Sequence, residues 1–187
     1  MFEVELKYPV ESHDEIRQQL LTMNSTQTGT SNHCDEYFNQ TLLDFAGNDI
    51  ALRIRSAQES HTLTYKGPNL DSRAKIREEI EIQFNTEDKD KFRGMLLGMG
   101  FHSVLQVLKQ RDSVAVRWQD EDVEICLDTI DGVGTFIELE LVVQAKEQVG
   151  SAKATLEELA KTLAITSEPT TISYLEMLLD KQADGQD

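Results

Sequence analysis

The chain has 187 residues, with 18 lysines and arginines against 34 aspartates and glutamates, which gives a formal net charge of −16. This balance excludes a protein that coats nucleic acid or an anionic membrane, because such proteins carry a basic surface. Hydrophobic residues make up 39% of the chain and only three prolines occur, so the sequence predicts a folded domain rather than a disordered acidic tail.

Cysteine and histidine usage argues against a disulfide framework and a zinc site. Cys34 and Cys126 are far apart and have no metal-ligand spacing, which is typical of reduced thiols. The four histidines are scattered and form no predicted ligand set. No segment has the length and hydrophobicity of a membrane span or the pattern of a secretory leader, so we expect a cytoplasmic protein.

The first part of the chain is mostly predicted strand. Phe2 to Tyr8 alternates apolar and charged residues, and Pro9 ends the strand. Ser12 is a predicted N-cap of a helix that runs to about residue 23. Residues 24–33 and 69–75 are predicted as polar loops. Further strands are predicted at 34–43, 51–57, 61–66 and 77–84.

The second part of the chain repeats this mixture. Thr86 is the predicted N-cap of a helix that stops at residues 98–100. Strands are then predicted at 105–112, 113–119, 123–128 and 135–143, followed by helices at about 151–163 and 173–180. We expect a single domain over residues 1–180 and a disordered tail at 181–187. The pattern predicts an α+β fold around an antiparallel sheet or barrel.

Like charges share one face of five predicted strands, at positions i and i+2 and so about 6.6 Å apart. The pairs are Glu3 and Glu5, Arg53 and Arg55, Glu79 and Glu81, Lys109 and Arg111, and Glu138 and Glu140. A solvated sheet face with cross-strand ion pairs would also carry charges, but it would mix signs along a strand because like-charged neighbours repel. The segregation favours a barrel with a polar lumen, whose apolar outer face is covered by helices.

The residue types in this lumen indicate its chemistry. Clustered carboxylates without histidine or cysteine are ligands for Mg²⁺ or Mn²⁺. Clustered arginines and lysines suit a polyphosphate, because arginine forms bidentate contacts and lysine a point charge. Together they are the groups needed for phosphoryl or nucleotidyl transfer. The glycines at Gly67 and Gly132–Gly134 lack the spacing of a P-loop, so side chains must build the phosphate site.

Seven motifs in order resemble those of the CYTH superfamily, whose members have the triphosphate tunnel metalloenzyme fold. They are E-x-E-x-K at Glu3–Lys7, D-x-Y-F at Asp35–Phe38, L-R-x-R at Leu52–Arg55, the lysine-bearing strand at Leu63–Pro68, R-x-E-x-E at Arg77–Glu81, K-x-R at Lys109–Arg111, and the D…G-x-G-x-F-x-E-x-E segment from Asp128 to Glu140. The Y-F, L-T-Y-K-G-P and K-Q-R stretches look most like the CyaB branch, which is similar to class IV adenylyl cyclases. Asn39 departs from the aspartate that is common in the family after Y-F.

The resemblance implies an eight-stranded antiparallel closed β-barrel with helices outside and a triphosphate inside. It implies metal ligands at Glu3, Glu5, Glu138 and Glu140, with Asp128 a weaker candidate that could equally fix the turn at Gly132 or accept from a tunnel arginine. The residues implied to bind the triphosphate are Lys7, Arg53, Arg55, Lys66, Lys109 and Arg111. The expected catalytic residues are Glu3, Glu5, Lys7 and Lys66.

Three further residues, Arg77, Glu79 and Glu81, are expected to line the tunnel, in base recognition, metal support or mutual orientation. Ser173 and Tyr174, where the family often has a Ser-Tyr pair, are interpreted as a helix cap and a packing aromatic.

Three functions are compatible with this site. The first is a class IV adenylyl cyclase that makes cyclic AMP and pyrophosphate from ATP. The second is a triphosphatase that hydrolyses tripolyphosphate, thiamine triphosphate or nucleoside triphosphates, and the third is a non-catalytic polyphosphate- or nucleotide-binding module. The expected cofactor is Mg²⁺ or Mn²⁺. The expected partner is a small triphosphate, with no nucleic acid or membrane, and the chain is expected to be a monomer or homodimer.

Overall fold

Eight antiparallel strands close into a barrel in the order β1-β5-β4-β3-β2-β6-β7-β8, with β8 pairing back to β1. The structure is a computed structural model that describes residues 2–58, 60–71 and 74–184. The strands are Phe2–Val10 (β1), Ser25–Gln40 (β2), Ala51–Ala57 (β3), Ser60–Lys66 (β4), Lys75–Asn85 (β5), Phe101–Trp118 (β6), Glu121–Ile130 (β7) and Gly134–Val143 (β8). The helices are Asp14–Thr22 (α1), Lys89–Gly98 (α2), Val149–Thr162 (α3) and Tyr174–Asp184 (α4). The predicted α+β fold with an eight-stranded closed barrel is confirmed.

The strand register brings the charged residues to one side of the barrel wall. On β1, Glu5 lies opposite Glu140 of β8 and Lys75 of β5, and Lys7 lies opposite Glu138. Residues opposite one another in neighbouring strands point to the same face of a sheet. The alternation along each strand therefore continues around the barrel, and the charged residues face its interior.

The apolar faces of the strands point outward, where helices cover them. Val4 and Leu6 of β1 are completely buried beneath Leu156 and Leu159 of α3 in the largest hydrophobic cluster. A second cluster places α2 against β2 and β3, and a third places α4 at the end of the barrel, next to Phe136. As in other proteins with helices packed on a sheet, the hydrophobic core lies between the strands and the helices. Because the core is outside the barrel, charged side chains can occupy its interior.

Two predicted boundaries were wrong, one where a polar segment was predicted as a loop and one where a single strand was predicted as two. Residues 25–33, within the predicted loop 24–33, belong to β2, and this part of the strand is largely exposed on both faces, so no apolar alternation marks it. The strands predicted at 105–112 and 113–119 are one strand, β6. Asp112 and Ser113 at their junction face outward and inward respectively, and Asp112 accepts a hydrogen bond from Thr30 at 2.6 Å.

The C-terminal helix extends four residues beyond the predicted end at 180. Residues 181–184 of the predicted tail are helical, and 185–187 lie outside the described residues. None of the helices within the described part of the chain has the length and hydrophobicity to cross a membrane.

Alanine substitutions at two adjacent leucines of α1 test how this helix packs on the barrel. Leu20 is 4% exposed within the largest cluster, whereas Leu21 is 77% exposed. Replacing Leu20 by alanine is expected to reduce the free energy of unfolding by about 2–5 kcal/mol, because it removes buried methyl groups and leaves a cavity. The same change at Leu21 is expected to stay within about 0.5 kcal/mol of the parent. Urea denaturation followed by circular dichroism measures both, and equal losses would contradict this packing of α1.

Candidate active site

The interior of the barrel is a cavity of about 440 Å³, within the usual range of small-molecule sites. Among the described residues, charged side chains from β1 and β3 to β8 line it, and β2 contributes Ser31, His33 and Tyr37. The basic lining consists of Lys7, Arg53, Arg55, Lys66, Lys75, Arg77, Lys109 and Arg111, and the glutamates are Glu3, Glu5, Glu79, Glu81, Glu124, Glu138, Glu140 and, on α4, Glu176. The structure thus brings together every residue predicted to bind triphosphate or to line the tunnel. Lys75 was missed, because it was predicted as the last residue of the loop 69–75, whereas it is the first residue of β5.

Two buried aspartates behind the lining hold its arginines. On β2, Asp35 accepts hydrogen bonds from Nε and Nη2 of Arg55, both at 2.8 Å, and from Nη1 of Arg53 at 3.2 Å. Burial opposes its ionisation, but Arg53 and Arg55 nevertheless hold the pKa of Asp35 far below its usual range. The aspartate therefore fixes the planes of two guanidinium groups. The D-x-Y-F motif contained this residue, but no role for it was predicted.

The second of these aspartates is Asp128, which is completely buried on β7. Its carboxylate accepts hydrogen bonds from Nε of Arg111 at 2.7 Å, from Nη2 of Arg111 at 2.6 Å, from Nζ of Lys109 at 3.3 Å and from the hydroxyl of Tyr174 at 3.1 Å. Asp128 was predicted as a metal ligand, as a support of the turn at Gly132 or as an acceptor for a tunnel arginine. These hydrogen bonds correspond to the last of the three roles. Both oxygens are occupied by donors from the protein, and Asp128 lies outside the carboxylate cluster described next.

Three carboxylates form a cluster that could hold a metal ion. Glu5, Glu138 and Glu140 each offer an oxygen, and these oxygens lie within 4.8 Å of one another. Oxygen Oε1 of Glu5 is buried without a hydrogen-bond partner among the described residues. A donor set made only of carboxylates suits Mg²⁺ or Mn²⁺, and an unpartnered buried oxygen is the group that such an ion would satisfy. The residues present therefore fit a divalent cation.

The two β8 glutamates of this cluster have opposite ionisation tendencies. Burial raises the pKa of Glu140 well above its usual range, and the nearby glutamates add to this effect although Arg111 opposes it. At Glu138, burial is outweighed by Arg111, Lys109 and Lys7, which hold the pKa well below the usual range. Neighbouring carboxylates with unequal pKa values are typical of sites that bind a cation or a positively charged group.

Glu3 lies beside this cluster, in a second group on β1, β4 and β5. Its carboxylate accepts from Nζ of Lys66 at 3.4 Å, and Lys66 also pairs with Glu79. Burial, together with Glu79, raises the pKa of Glu3 although Lys66 opposes the shift. In this arrangement Glu3 and Glu79 orient the ammonium group of Lys66.

The other two β5 residues predicted to line the tunnel have separate partners. Nη2 of Arg77 lies 3.4 Å from Asp49 at the rim, and the hydroxyl of Thr64 donates to Glu81 at 2.9 Å near the exposed end. These contacts join neither residue to the other or to Glu79, so the roles left open for Arg77, Glu79 and Glu81 stay predictions.

Two lysines of the lumen have weakened proton affinity. Nζ of Lys7 lies 3.9 Å from Glu5 and 4.0 Å from Glu138, and it has no hydrogen-bond partner among the described residues. Burial and the charge of Lys75 lower the pKa of Lys7 to about 7. Burial and Arg111 lower the pKa of Lys109 to about 8. A bound polyanion would stabilise both ammonium groups and so raise the pKa values of Lys7 and Lys109. The electrostatics of the lumen therefore favour binding of a polyanion.

Ser173 and Tyr174 begin the helix that closes one end of the barrel. The Ser173 hydroxyl accepts from the backbone N–H of Glu176 at 3.1 Å, and the Glu176 carboxylate accepts from the backbone N–H of Ser173 at 2.6 Å, which confirms the predicted cap. The interpretation of Tyr174 was incomplete. Besides packing on Phe136, it donates to Asp128, and its ring centroid lies 4.4 Å from Nζ of Lys7.

Comparison with other proteins identifies relatives over nearly the whole chain. A Methanocaldococcus jannaschii protein named as a candidate adenylate cyclase is 33% identical over 95% of this chain and 98% of its own length. Adenylate cyclase CyaB of Aeromonas hydrophila is 27% identical over 89% of this chain and 82% of its own.

Solved structures have the same fold. The PH1819 protein of Pyrococcus horikoshii OT3 superposes with a TM-score of 0.83 at 37% identity, covering 96% of this chain and 99% of that one. A Hippeastrum protein described as an adenylyl cyclase candidate with a dominant triphosphatase activity has a TM-score of 0.66 at 20% identity, covering 96% and 95%. The CYTH domain itself matches residues 1–173, and this chain belongs to the CYTH domain family.

Proposed function

We propose that this protein is a divalent-metal-dependent adenylyl cyclase that converts ATP to cyclic AMP and pyrophosphate inside the barrel. The observation that carries the proposal is the placement of eight basic side chains and the cluster of Glu5, Glu138 and Glu140 around one lumen. The choice of the cyclase reaction is supported by the two relatives named for that activity, which align with most of the chain.

Binding of the triphosphate falls to the arginines and lysines. Arg55 and Arg111 each use one edge of the guanidinium group on a buried aspartate, which fixes the plane of that group in the lumen wall. Nη1 of Arg111 also donates to Glu140 and Nη2 to Glu138, so this arginine lies at the carboxylate cluster. Lys7 and Lys109 add two amino groups whose protonated form a polyanion would stabilise. Because these groups are fixed before the ligand arrives, they neutralise its charge without reorganisation.

The cofactor in this proposal is held by Glu5, Glu138 and Glu140. When bound, Mg²⁺ or Mn²⁺ neutralises phosphate oxygens and so makes phosphorus more open to attack. Glu3 and Glu79 hold Lys66 beside this position. The surrounding lysines keep the carboxylates from accumulating an unbalanced negative charge when the ion is absent.

In the cyclase reaction, the ribose 3′-oxygen forms a bond to the α-phosphorus while the bond between that phosphorus and the β-phosphate bridging oxygen breaks. Pyrophosphate leaves, and the 3′-hydroxyl proton passes to a base or to water. The barrel holds the chain of three phosphates in one line and limits the access of water, which competes as a nucleophile. The same groups would serve a triphosphatase if water attacked the γ-phosphorus, so the product distinguishes the two reactions.

A substrate panel tests the proposal directly. ATP and inorganic tripolyphosphate are each incubated with the protein in Mg²⁺ and in Mn²⁺, and products are separated by anion-exchange chromatography. Cyclic AMP and pyrophosphate in equal amounts are expected from ATP. Orthophosphate release instead would replace the cyclase by a triphosphatase, and tight binding without any product would indicate the non-catalytic module.

The metal site is tested by Glu5→Gln, with Glu78→Gln as its control. Glu5 belongs to the carboxylate cluster, whereas Glu78 is exposed on the outer face of the neighbouring strand β5. Glu5→Gln is expected to reduce Mn²⁺ affinity and turnover by about 100-fold or more, because a neutral amide is a poor ligand for a hard cation. Circular dichroism is expected to remain unchanged. Unaltered Mn²⁺ binding, measured by calorimetry, would remove Glu5 from the metal site.

The phosphate site is tested by Arg55→Lys, with Arg117→Lys as its control. Lysine keeps the charge but cannot form the two-point contact with Asp35 and still present an N–H edge to the lumen. We expect the affinity for tripolyphosphate to fall by about 10- to 100-fold. Arg117 is exposed and pairs with Asp122, so its replacement should leave the affinity unchanged. Equal affinities for the two variants would show that Arg55 does not contact the ligand.

A further inference from the structure

His33 is a titratable residue of the lumen that the proposed chemistry does not use. It lies on β2 two residues before Asp35, and the register places it opposite Lys109 of β6. Its side chain is partly buried and lines the same cavity as the predicted phosphate-binding residues. No role was predicted for His33, since the four histidines form no ligand set in the sequence.

Only one nitrogen of the His33 ring has a partner. Nε2 lies 2.8 Å from the hydroxyl oxygen of Ser31, which also lines the cavity. Nδ1 is buried and has no hydrogen-bond partner among the described residues. A buried polar atom without a partner is unfavourable, so such an atom in a cavity wall indicates a position where a ligand completes the contact.

Cations surround this ring. Arg55, Lys109 and Arg111 all act on it, and Asp35 opposes them. Burial, Arg55 and Lys109 lower the pKa of His33 to about 3, so the ring is neutral near pH 7. A neutral ring among three cations gives the site a hydrogen-bonding group that adds no further positive charge.

We propose that His33 is a ligand-binding residue that donates a hydrogen bond from Nδ1 to a phosphate oxygen of the bound triphosphate. The inference rests on the proposed function, since it takes a triphosphate as the ligand of the lumen. Phosphate oxygens only accept, so Nδ1 must carry the proton in the complex.

Ser31 makes this donor role possible in either ionisation state. A hydroxyl can donate to Nε2 of the neutral ring or accept from Nε2–H of the charged ring. A bound polyanion offsets the three cations and so favours the charged ring, in which Nδ1 and Nε2 each carry a hydrogen. Nδ1 can therefore donate to a phosphate oxygen whether the ring is neutral or charged.

Nitrogen-15 NMR of the histidine ring nitrogens tests this contact without relying on turnover. Spectra are recorded for the protein with Mg²⁺, before and after addition of inorganic tripolyphosphate, and the His33 signals are assigned with His33→Gln. Tripolyphosphate is expected to move Nδ1 of His33 to the shift of a protonated nitrogen and to leave His102, which is exposed, unchanged. Calorimetry on the same samples reports whether tripolyphosphate binds at all.

The outcomes separate this inference from the proposed function. Binding with an unchanged His33 spectrum overturns the role of His33 and leaves the proposed function standing. Absence of binding overturns both.

Affinity measurements on variants give a second readout. His33→Leu removes the donor and is expected to weaken tripolyphosphate binding about 10-fold or more, whereas His33→Gln keeps a neutral N–H donor and is expected to restore most of the affinity. His102→Leu is the matched control and should bind as the parent does. If His33→Leu and His33→Gln bind equally well, the loss reflects packing and the proposed hydrogen bond is not made.

Discussion

The burial of opposite charges inside one barrel is the constraint on which the rest of the structure depends. Moving an ion from water into a protein interior costs several kcal/mol unless a partner and hydrogen bonds replace its hydration. Here eight basic side chains and eight glutamates line one cavity, with Asp35 and Asp128 behind them. Each buried aspartate binds a guanidinium group through two atoms, which satisfies both partners and leaves other N–H groups directed inward. The same contacts that make the charges tolerable also orient them for a ligand.

This internal pairing also changes the meaning of the net charge. A value of −16 describes the surface, where it disfavours extended polyanions such as DNA. Inside, burial raises the pKa values of Glu3 and Glu140, whereas Arg53 and Arg111 have raised pKa values and remain charged. The net charge of the chain therefore does not describe the lumen, where basic side chains are concentrated on one cavity.

Most residues of the site could be predicted from the sequence, because side chains alternate between the inner and outer faces of every strand of a barrel. Once like charges alternate along β1, β3, β6 and β8, closure brings them to one lumen regardless of the exact boundaries of the strands. What alternation could not reveal were residues whose neighbours are polar on both faces. Lys75 and His33 are the last residues of the segments 69–75 and 24–33, which were both predicted as polar loops, so neither showed a strand pattern. Asp35 contacts Arg55 on the neighbouring strand, and Tyr174 of α4 contacts Asp128 and Lys7. The partners are distant in sequence, so no local pattern indicates these roles.

The geometry also explains why the family supports more than one reaction. Positive charge is distributed along the lumen from Lys66 and Arg53 to Lys109 and Arg111, and the carboxylate cluster lies against the β1–β8 side of the wall. A chain of three phosphates presents similar oxygens at each phosphorus, so a shift of the chain by one phosphate keeps nearly the same charge contacts while a different phosphorus meets the nucleophile. Discrimination between the reactions must therefore come from groups whose interaction with the substrate depends steeply on distance and direction. Neutral hydrogen-bonding groups such as His33 and Ser31 are of this kind, because a hydrogen bond is lost within a displacement of about 1 Å whereas a Coulomb interaction changes little over that distance.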